Sequence, residues 1–194
     1  MSFLDEDDGE FLGGRLLIAM PGIGDPRFER AVLFMCAHSP QYAMGITLNH
    51  PVEGLSVPDL LERLGISLQA PLEDRPVLAG GPVDRERGFV LHSDDFEAPD
   101  STLSITDGVS LTATRDVLDA MAAADRRPRQ AVLALGCAQW EGGQLEREIK
   151  ESVWLSCDAD EAIIFDGDHE TKWERALAKI GVSASQLSSQ TGRA

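Results

Sequence analysis

A thiol and an imidazole stand two residues apart in the sequence, at Cys36 and His38. They lie at the end of a short apolar run, residues 31–37, whose strand-forming residues predict a buried β-strand. On a strand this spacing places both side chains on one face, where an imidazole can lower the pKa of a thiol. The pair is therefore the best candidate for a cysteine-dependent enzyme or a redox sensor. Since free cysteine is among the most buried residue types, simple packing of Cys36 is the competing and favoured interpretation.

The other residues that could do chemistry are scattered through the sequence. Cys137 and Cys157 belong to no C-x-x-C pair, and the four histidines lack the H-x-x-x-H or H-E-x-x-H spacing of a zinc site. Gly22 and Gly24 lack the third glycine of a dinucleotide-binding loop, because Arg27 occupies that position, and no P-loop motif is present. The sequence therefore predicts no catalytic set, no metal site and no cofactor.

The charge of the chain disfavours several classes of partner. Acidic side chains outnumber basic ones by 33 to 17, and the formal net charge is -16. Such a charge repels phosphate backbones and anionic membrane surfaces, so direct nucleic-acid binding and membrane association are not expected. One alternative stays open, in which Arg15, Arg27, Arg85 and Arg87 form a local basic patch that binds nucleic acid weakly.

The length and the ends of the chain predict one domain between two tails. A chain of 194 residues fits a single domain with its own core. We expect an acidic flexible tail at residues 1–11, a folded domain at residues 12–182 and a polar tail at residues 183–194. The acidic start is unlike a signal peptide, and the longest apolar run is far shorter than the roughly 20 residues that span a bilayer. The expected location is the cytoplasm.

The elements that must position these residues alternate irregularly between strands and helices. Strands are predicted at residues 16–20, 31–37, 44–48, 77–79, 88–92, 103–105, 109–111, 131–135 and 162–165, and Cys157 is placed in a loop. Helices are predicted at residues 56–64, 114–124, 144–153 and 171–180, the first behind a Ser56 and Asp59 capping box and the second behind a Thr114 cap. Without regular strand–helix alternation, this pattern favours an α+β fold with a mixed sheet.

Five ordered segments resemble the bacterial YqgE/AlgH family, also designated UPF0301 and DUF179. They are G-G-R-L-L-I-A-M-P with D-P-R-F at residues 13–28, H with A-M-G-I-T-L-N-H-P at 38–51, G-G-P-V with R-G-F-V-L-H at 80–92, G-C-A-Q-W at 136–140, and G-G-Q-L-E-R-E-I with W-L at 142–155. The resemblance covers about residues 12–181. It implies a single α+β domain with a mixed, largely antiparallel coiled β-sheet and about four helices.

The resemblance also shapes the functional expectation. One branch of that family carries a transcriptional-regulator label, and no DNA-reading motif accompanies it here, so any regulation is expected to be indirect. We expect a non-enzymatic cytoplasmic binding or regulatory protein whose partner is an unknown protein or small molecule. The candidate binding surface comprises Asp25, Arg27, Cys36, His38, Asn49, Gly80, Gly81, Gln144, Glu146 and Glu148. The competing interpretation of these residues is turn and cap chemistry.

Overall fold

The computed structural model describes residues 11–191, which form one curled β-sheet with helices packed against it. The strands in this part of the chain are β1 (Arg15–Ala19), β2 (Val32–His38), β3 (Tyr42–Thr47), β4 (Pro51–Ser56), β5 (Pro76–Ala79), β6 (Val83–His92), β7 (Thr102–Thr106), β8 (Val109–Thr112), β9 (Ala131–Glu141) and β10 (Trp154–Asp158). The α-helices are α1 (Val57–Arg63), α2 (Arg115–Ala122), α3 (Gln144–Lys150), α4 (Glu161–Phe165), α5 (Lys172–Lys179) and α6 (Ala184–Thr191), and 3₁₀ helices occur at Pro26–Phe28 and His169–Thr171.

The sheet is mixed and largely antiparallel. Its strands follow the order β10-β1-β2-β3-β9-β6-β8-β7, with β4 and β5 paired beside β9. The pair β5 and β9 is parallel, and the other pairs are antiparallel. The sheet curls until its β7 end meets the start of β1, where a Cβ on Gly14 would collide with the Thr106 side chain. The predicted fold class is confirmed.

The central strands bury both faces, which explains their nearly continuous apolar runs. Alternate residues of β1 and β2, such as Leu16 and Phe34, enter a main core covered by α4 and α5. The residues between them, such as Leu17 and Met35, enter a second core closed by α3. A third apolar cluster lies under α1 and α2. Because side chains alternate along a strand, any irregularity in β2 changes which core its last residues face.

Such an irregularity occurs at Cys36. Met35 pairs with Gly45, and Ala37 pairs with Met44, which is adjacent to Gly45. Cys36 is therefore an extra residue in β2 that forms a β-bulge. Cys36 packs in the main core beside Phe34. His38 pairs with Ala43, which belongs to the second core. The bulge therefore sends Cys36 and His38 to opposite faces of the sheet, and the prediction that they share a face is wrong.

The structure contains most of the turns and helix caps that the sequence predicts. Ser56 and Asp59 form the predicted capping box at α1, and Gly65, with φ of 74°, follows the end of that helix. The hairpin of β7 and β8 turns at the predicted Asp-Gly step. Thr114 precedes α2 without a side-chain cap bond, because its hydroxyl donates to Asp116 instead.

Two further local predictions were wrong. Residues 162–165 form helix α4 instead of a strand, because the carboxylate of Asp160 accepts the amide N–H groups of Ala162 and Ile163 and starts a helical turn. Cys157 lies in strand β10 instead of a loop, and it pairs with Leu16 of β1. The first error overlooked a local helix cap, and the second concerns a short segment whose conformation is set by its pairing with β1.

The ends of the chain are only partly described. The predicted acidic tail at residues 1–11 lies outside the described residues except for Phe11, whose ring meets the His38 ring edge-on. Helix α6 occupies much of the predicted polar tail at residues 183–194, and its Leu187 is buried in the main core. No helix in residues 11–191 has the length and apolar character needed to span a membrane.

Candidate functional site

Nine of the ten candidate residues fall into two groups at opposite ends of β3, and the tenth, Cys36, is buried in the main core. Thr47, at one end of β3, donates its amide N–H to the carbonyl of Gly80 at 2.9 Å. Ala43, near the other end, stands opposite His38. A six-residue strand separates these ends by roughly 16 Å, since each residue rises about 3.3 Å. The structure therefore does not unite the candidates in one site.

The first group surrounds a cavity of about 340 Å³, which we call the Arg27 cavity. It is lined by Pro26, Arg27, His50, Ala79, Gly81, Pro82 and Arg85. Three separate stretches of sequence thus supply two guanidinium groups and one imidazole to a single concave surface. Such an arrangement can hold an anionic group through charge-assisted hydrogen bonds.

Arg27 is positioned by the 3₁₀ helix Pro26–Phe28. Asp25 caps that helix by accepting the Arg27 amide at 3.0 Å, and its carboxylate also accepts from the Arg27 guanidinium at 2.7 Å. The bond from the Arg27 side chain lowers the pKa of Asp25 below its usual value. The Arg27 side chain is nevertheless 63% exposed, so its remaining N–H donors can reach a ligand.

Arg85 is positioned by a wide bulge in β6. Val83 pairs with Cys137 and Gly88 with Leu135, so residues 84–87 stand opposite the single residue Gly136. Bulges of this kind bend the strand and change the direction in which its side chains point. The exposed Arg85 forms no ion pair with any carboxylate in the described part of the chain.

Asn49 and His50 hold the loop that carries Arg27. The Asn49 side chain accepts the amide of Val32 at 2.9 Å and donates to the carbonyl of Arg30 at 2.8 Å. The next residue, His50, lies 3.0 Å through its Nε2 from the carbonyl of Glu29. Asn49 is therefore a positioning residue behind the cavity, while His50 lines it.

Gly80 and Gly81 are required by close backbone packing. A Cβ on Gly80 would collide with the carbonyl oxygen of Gly136, and a Cβ on Gly81 would collide with the backbone of Cys137. Glycine at these positions therefore lets the chain after β5 cross β9 at close range. Gly81 also forms part of the wall of the Arg27 cavity.

The second group forms a structural network between β2, β9 and α3. His38 Nδ1 accepts the amide of Leu12 at 2.9 Å, and Nε2 lies 2.7 Å from Glu146. The His38 side chain is only 2% exposed. Burial raises the pKa of Glu146, but hydrogen bonds from its own backbone amide and from His38 outweigh burial and lower it overall. The imidazole has both nitrogens occupied, so it has no free atom to offer a ligand.

Glu148 completes this network from the next turn of α3. Its carboxylate accepts the indole N–H groups of Trp140 at 2.6 Å and Trp154 at 3.3 Å, whose rings pack edge to face. Gln144 accepts the amide of Glu141 at 3.0 Å and lies 3.5 Å from Glu148. These contacts fix α3 against the sheet, which is the cap and packing role of the competing interpretation.

The three thiols lack the environment of a nucleophile. Cys36 donates weakly to the carbonyl of Phe34, and burial together with the neighbouring Cys137 raises its pKa. Burial likewise raises the pKa of Cys137 and of Cys157. Since the thiolate is the nucleophilic form, the geometry gives no support to cysteine chemistry through Cys36 and His38.

The four arginines of the nucleic-acid alternative do not form one patch. Arg15 pairs with Asp158 at 2.6 Å, and Arg87 stacks over the ring of Phe89. Arg27 and Arg85 alone among the four line the same cavity. Within residues 11–191, no group of three or more His, Cys, Asp and Glu side chains is arranged to hold a metal ion.

Lys172 of α5 is a fully buried cation that no motif in the sequence indicated. Its ammonium nitrogen lies 3.4 Å from the carbonyls of Leu48 and Ile164, and the residue is 0% exposed. Burial lowers the pKa of Lys172 to about 8. The one available signal was its spacing four residues before the buried Ala176, which places Lys172 on the inward face of the helix.

Comparisons with known proteins agree over nearly the whole chain. The family model described as AlgH-like, DUF179, matches residues 16–185. A UPF0301 protein of Caulobacter vibrioides is 62% identical over 193 residues, covering 100% of this chain and 99% of its own. A UPF0301 protein of Bradyrhizobium diazoefficiens is 52% identical over 191 residues, covering 95% of this chain and 89% of its own.

Two solved structures share the architecture. The solution structure of the AlgH protein from Pseudomonas aeruginosa is 37% identical, with a TM-score of 0.75, and the match covers 98% of this chain and 100% of that one. A crystal structure of a Corynebacterium diphtheriae protein matches with a TM-score of 0.68 over 91% of this chain and 88% of that one. At 16% identity the second match shows the fold alone.

Proposed function

The chain belongs to the AlgH-like family, and we propose that it is a non-enzymatic binding protein whose Arg27 cavity accepts the anionic group of a small molecule. The observation that carries this proposal is the convergence of Arg27, His50 and Arg85 on one cavity. In a chain of net charge -16, two guanidinium groups at one cavity depart from the general character of the surface. A carboxylate or phosphate is the chemistry that these donors match.

Arg27 and Arg85 would contribute to binding in different ways. Arg27 is held in a fixed orientation by Asp25, so one part of its guanidinium is already ordered before a ligand arrives. Arg85 lacks a carboxylate partner among residues 11–191 and supplies the charge that a ligand would neutralise. The cavity volume of about 340 Å³ suits a metabolite-sized molecule.

The regulatory role implied by the family resemblance fits this proposal only indirectly. The acidic chain repels DNA, and the arginines that could have formed a DNA-binding patch are separated or paired. Any effect on transcription would then follow from ligand binding and a change in a partner, with the protein acting in the cytoplasm.

A nuclear magnetic resonance titration of the full-length protein tests the proposal. Inorganic phosphate and acetate are added separately at constant ionic strength, and the amide resonances of Gly81, Val83 and Arg27 are followed. We expect saturable shifts at these residues with at least one anion. Replacement of Arg85 by Gln should weaken binding by at least about tenfold, since a charge-assisted hydrogen bond is worth roughly 1.5–3 kcal/mol.

The matched control is Arg63→Gln, which removes one exposed arginine of α1 outside the cavity. This variant should bind within about twofold of the wild-type protein because bulk salt screens distant charges. Equal affinities of the wild-type and Arg85→Gln proteins, or an absence of saturable shifts with either anion, would reject the Arg27 cavity as the site.

A further inference from the structure

A second cavity, of about 240 Å³, lies between the segment before β5, the segment before β9 and the end of α4. It shares no lining residue with the Arg27 cavity. We call it the Arg75 cavity, and it is lined by Val57, Leu72, Glu73, Arg75, Met121, Arg127, Pro128, Arg129, Gln130, Ala131 and Phe165. Its surface combines an apolar floor with three arginines.

The arginines give this cavity an excess of positive charge. Arg127 donates through its three guanidinium nitrogens to the backbone carbonyls of Met121, Pro71 and Ala70, at 2.8, 2.8 and 3.3 Å. These bonds fix its position while leaving its charge without a carboxylate partner in the part of the chain that the structure describes.

The remaining charges only partly offset this excess. Arg75 pairs with Glu73 at 2.9 Å and donates to the carbonyl of Phe165. Arg129 is exposed, and the nearby Asp95 accepts its backbone amide but does not line the cavity. The lining residues therefore carry three positive groups and one negative group.

Gln130 adds an unused hydrogen-bond acceptor. Its backbone is fixed by Ser93, whose hydroxyl accepts the Gln130 amide at 3.0 Å and whose amide donates to the Gln130 carbonyl at 2.9 Å. The side-chain oxygen Oε1 is buried and accepts no hydrogen bond from the described residues. Gln130 lines the cavity, so a rotation of its side chain would bring this unpaired acceptor to a ligand that carries a donor.

We propose that the Arg75 cavity binds a small aromatic carboxylate that carries a hydroxyl or amino donor. The ring would lie on Val57, Leu72, Met121 and Phe165, since thioether and aromatic groups pack well against aromatic rings. The carboxylate would face Arg127 and Arg129, and the donor would meet Gln130 Oε1. The volume accommodates a single substituted ring.

Three probes separate the contributions of charge, ring and donor. The full-length protein is titrated with 4-hydroxybenzoate, benzoate and inorganic phosphate while the amide resonances of Gln130, Ala131 and Phe165 are followed. We expect 4-hydroxybenzoate to bind at these residues about fivefold to tenfold more tightly than benzoate, which lacks the donor. Phosphate, which lacks the ring, should leave them unshifted. Equal binding of all three probes, or no saturable shift with 4-hydroxybenzoate, would overturn the proposal.

Two variants and one control locate the contacts. Arg129→Gln should weaken 4-hydroxybenzoate binding by about tenfold, whereas Arg126→Gln, which removes an exposed neighbouring arginine outside the cavity, should change it less than twofold. Gln130→Leu keeps the side-chain volume and should abolish the preference for 4-hydroxybenzoate over benzoate while benzoate still binds. Persistence of that preference in Gln130→Leu, or equal losses in the two arginine variants, contradicts the assignment. Because the resonances differ from those of the Arg27 cavity, failure here is distinguishable from failure there.

Discussion

The buried ammonium group of Lys172 should limit the stability of this protein at neutral pH. Lys172 is 0% exposed, and its ammonium nitrogen has two backbone carbonyls at 3.4 Å, which are long hydrogen bonds. Burial is the main cause that lowers the pKa of Lys172 from 10.5 to about 8, and the nearby cations Arg175 and Arg75 also lower it, while Asp166 opposes the shift. The fold therefore stabilises the neutral amine relative to the ammonium group. Near pH 7 the side chain is still mostly charged, because this pH lies below its pKa of about 8.

The pKa shift converts into a free energy of unfolding with a definite sign. A lowering from 10.5 to about 8 means that the charged side chain destabilises the folded state by about 3 kcal/mol below pH 8. Between pH 8 and pH 10.5 the unfolded chain binds more protons than the folded chain, so the contribution of Lys172 to stability rises with pH. From about pH 7 to about pH 10 this rise amounts to roughly 2.5 kcal/mol.

Replacement of Lys172 by Met removes the charge and fills similar space with an apolar chain. It also removes the two long hydrogen bonds, each worth at most about 1 kcal/mol. We therefore expect Lys172→Met to be more stable than the wild-type protein by about 1–2 kcal/mol near pH 7. Near pH 10 this advantage should vanish or reverse, because the neutral amine of the wild-type protein is then well accommodated.

Urea denaturation followed by tryptophan fluorescence, near pH 7 and near pH 10, measures both differences. Lys150→Met, which replaces an exposed lysine at the end of α3, corrects for the general effect of alkali on a protein that has lost one lysine. The reasoning is refuted if Lys172→Met is less stable than the wild-type protein near pH 7. It is also refuted if the difference between the two proteins does not change with pH.

Two further perturbations test the roles assigned to Asn49 and to the buried thiols. Asn49→Ala removes the bonds to Val32 and Arg30 and should lower the free energy of unfolding by about 1–3 kcal/mol, whereas the exposed Gln69→Ala should change it by less than about 0.5 kcal/mol; equal urea midpoints for the two variants would contradict the assigned role. The three buried thiols, whose pKa values are raised, should resist iodoacetamide in the native protein and react fully in denaturant, as counted by mass spectrometry. Rapid alkylation of Cys36 in the native protein would restore the case for thiol chemistry.

The sequence predicted the elements that depend on local signals. Apolar runs located β1, β2 and β3, the Asp-Gly step located the β7–β8 hairpin, and the capping box located α1. These signals involve residues that are close in sequence, so they can be recognised without knowledge of the tertiary structure. The family resemblance then supplied the coiled character of the sheet, which no local pattern specifies.

The candidate site was harder to predict because its residues are joined by irregular backbone. The bulge at Cys36 inserts one residue into β2 and reverses the face of His38, and the period-2 rule has no means to detect such an insertion. The wide bulge in β6 likewise turns Arg85 toward the Arg27 cavity. The burial of Lys172 was not predicted because a lysine is expected on an exposed helix face, and only its spacing to Ala176 placed it on the inward face.

The structure also separates the motif residues that hold the fold from the groups that are free to bind. Glu148 already accepts two indole N–H groups, Asn49 uses both ends of its amide, and a Cβ at Gly81 would strike the backbone of Cys137. A side chain whose hydrogen-bonding capacity is used internally must break those bonds before it can hold a ligand. Arg85, which has no carboxylate partner among residues 11–191, and Gln130, whose side-chain oxygen accepts no hydrogen bond from those residues, each line a cavity. We therefore expect ligand specificity to change with substitutions at the two cavities, and stability to change with substitutions in the motifs.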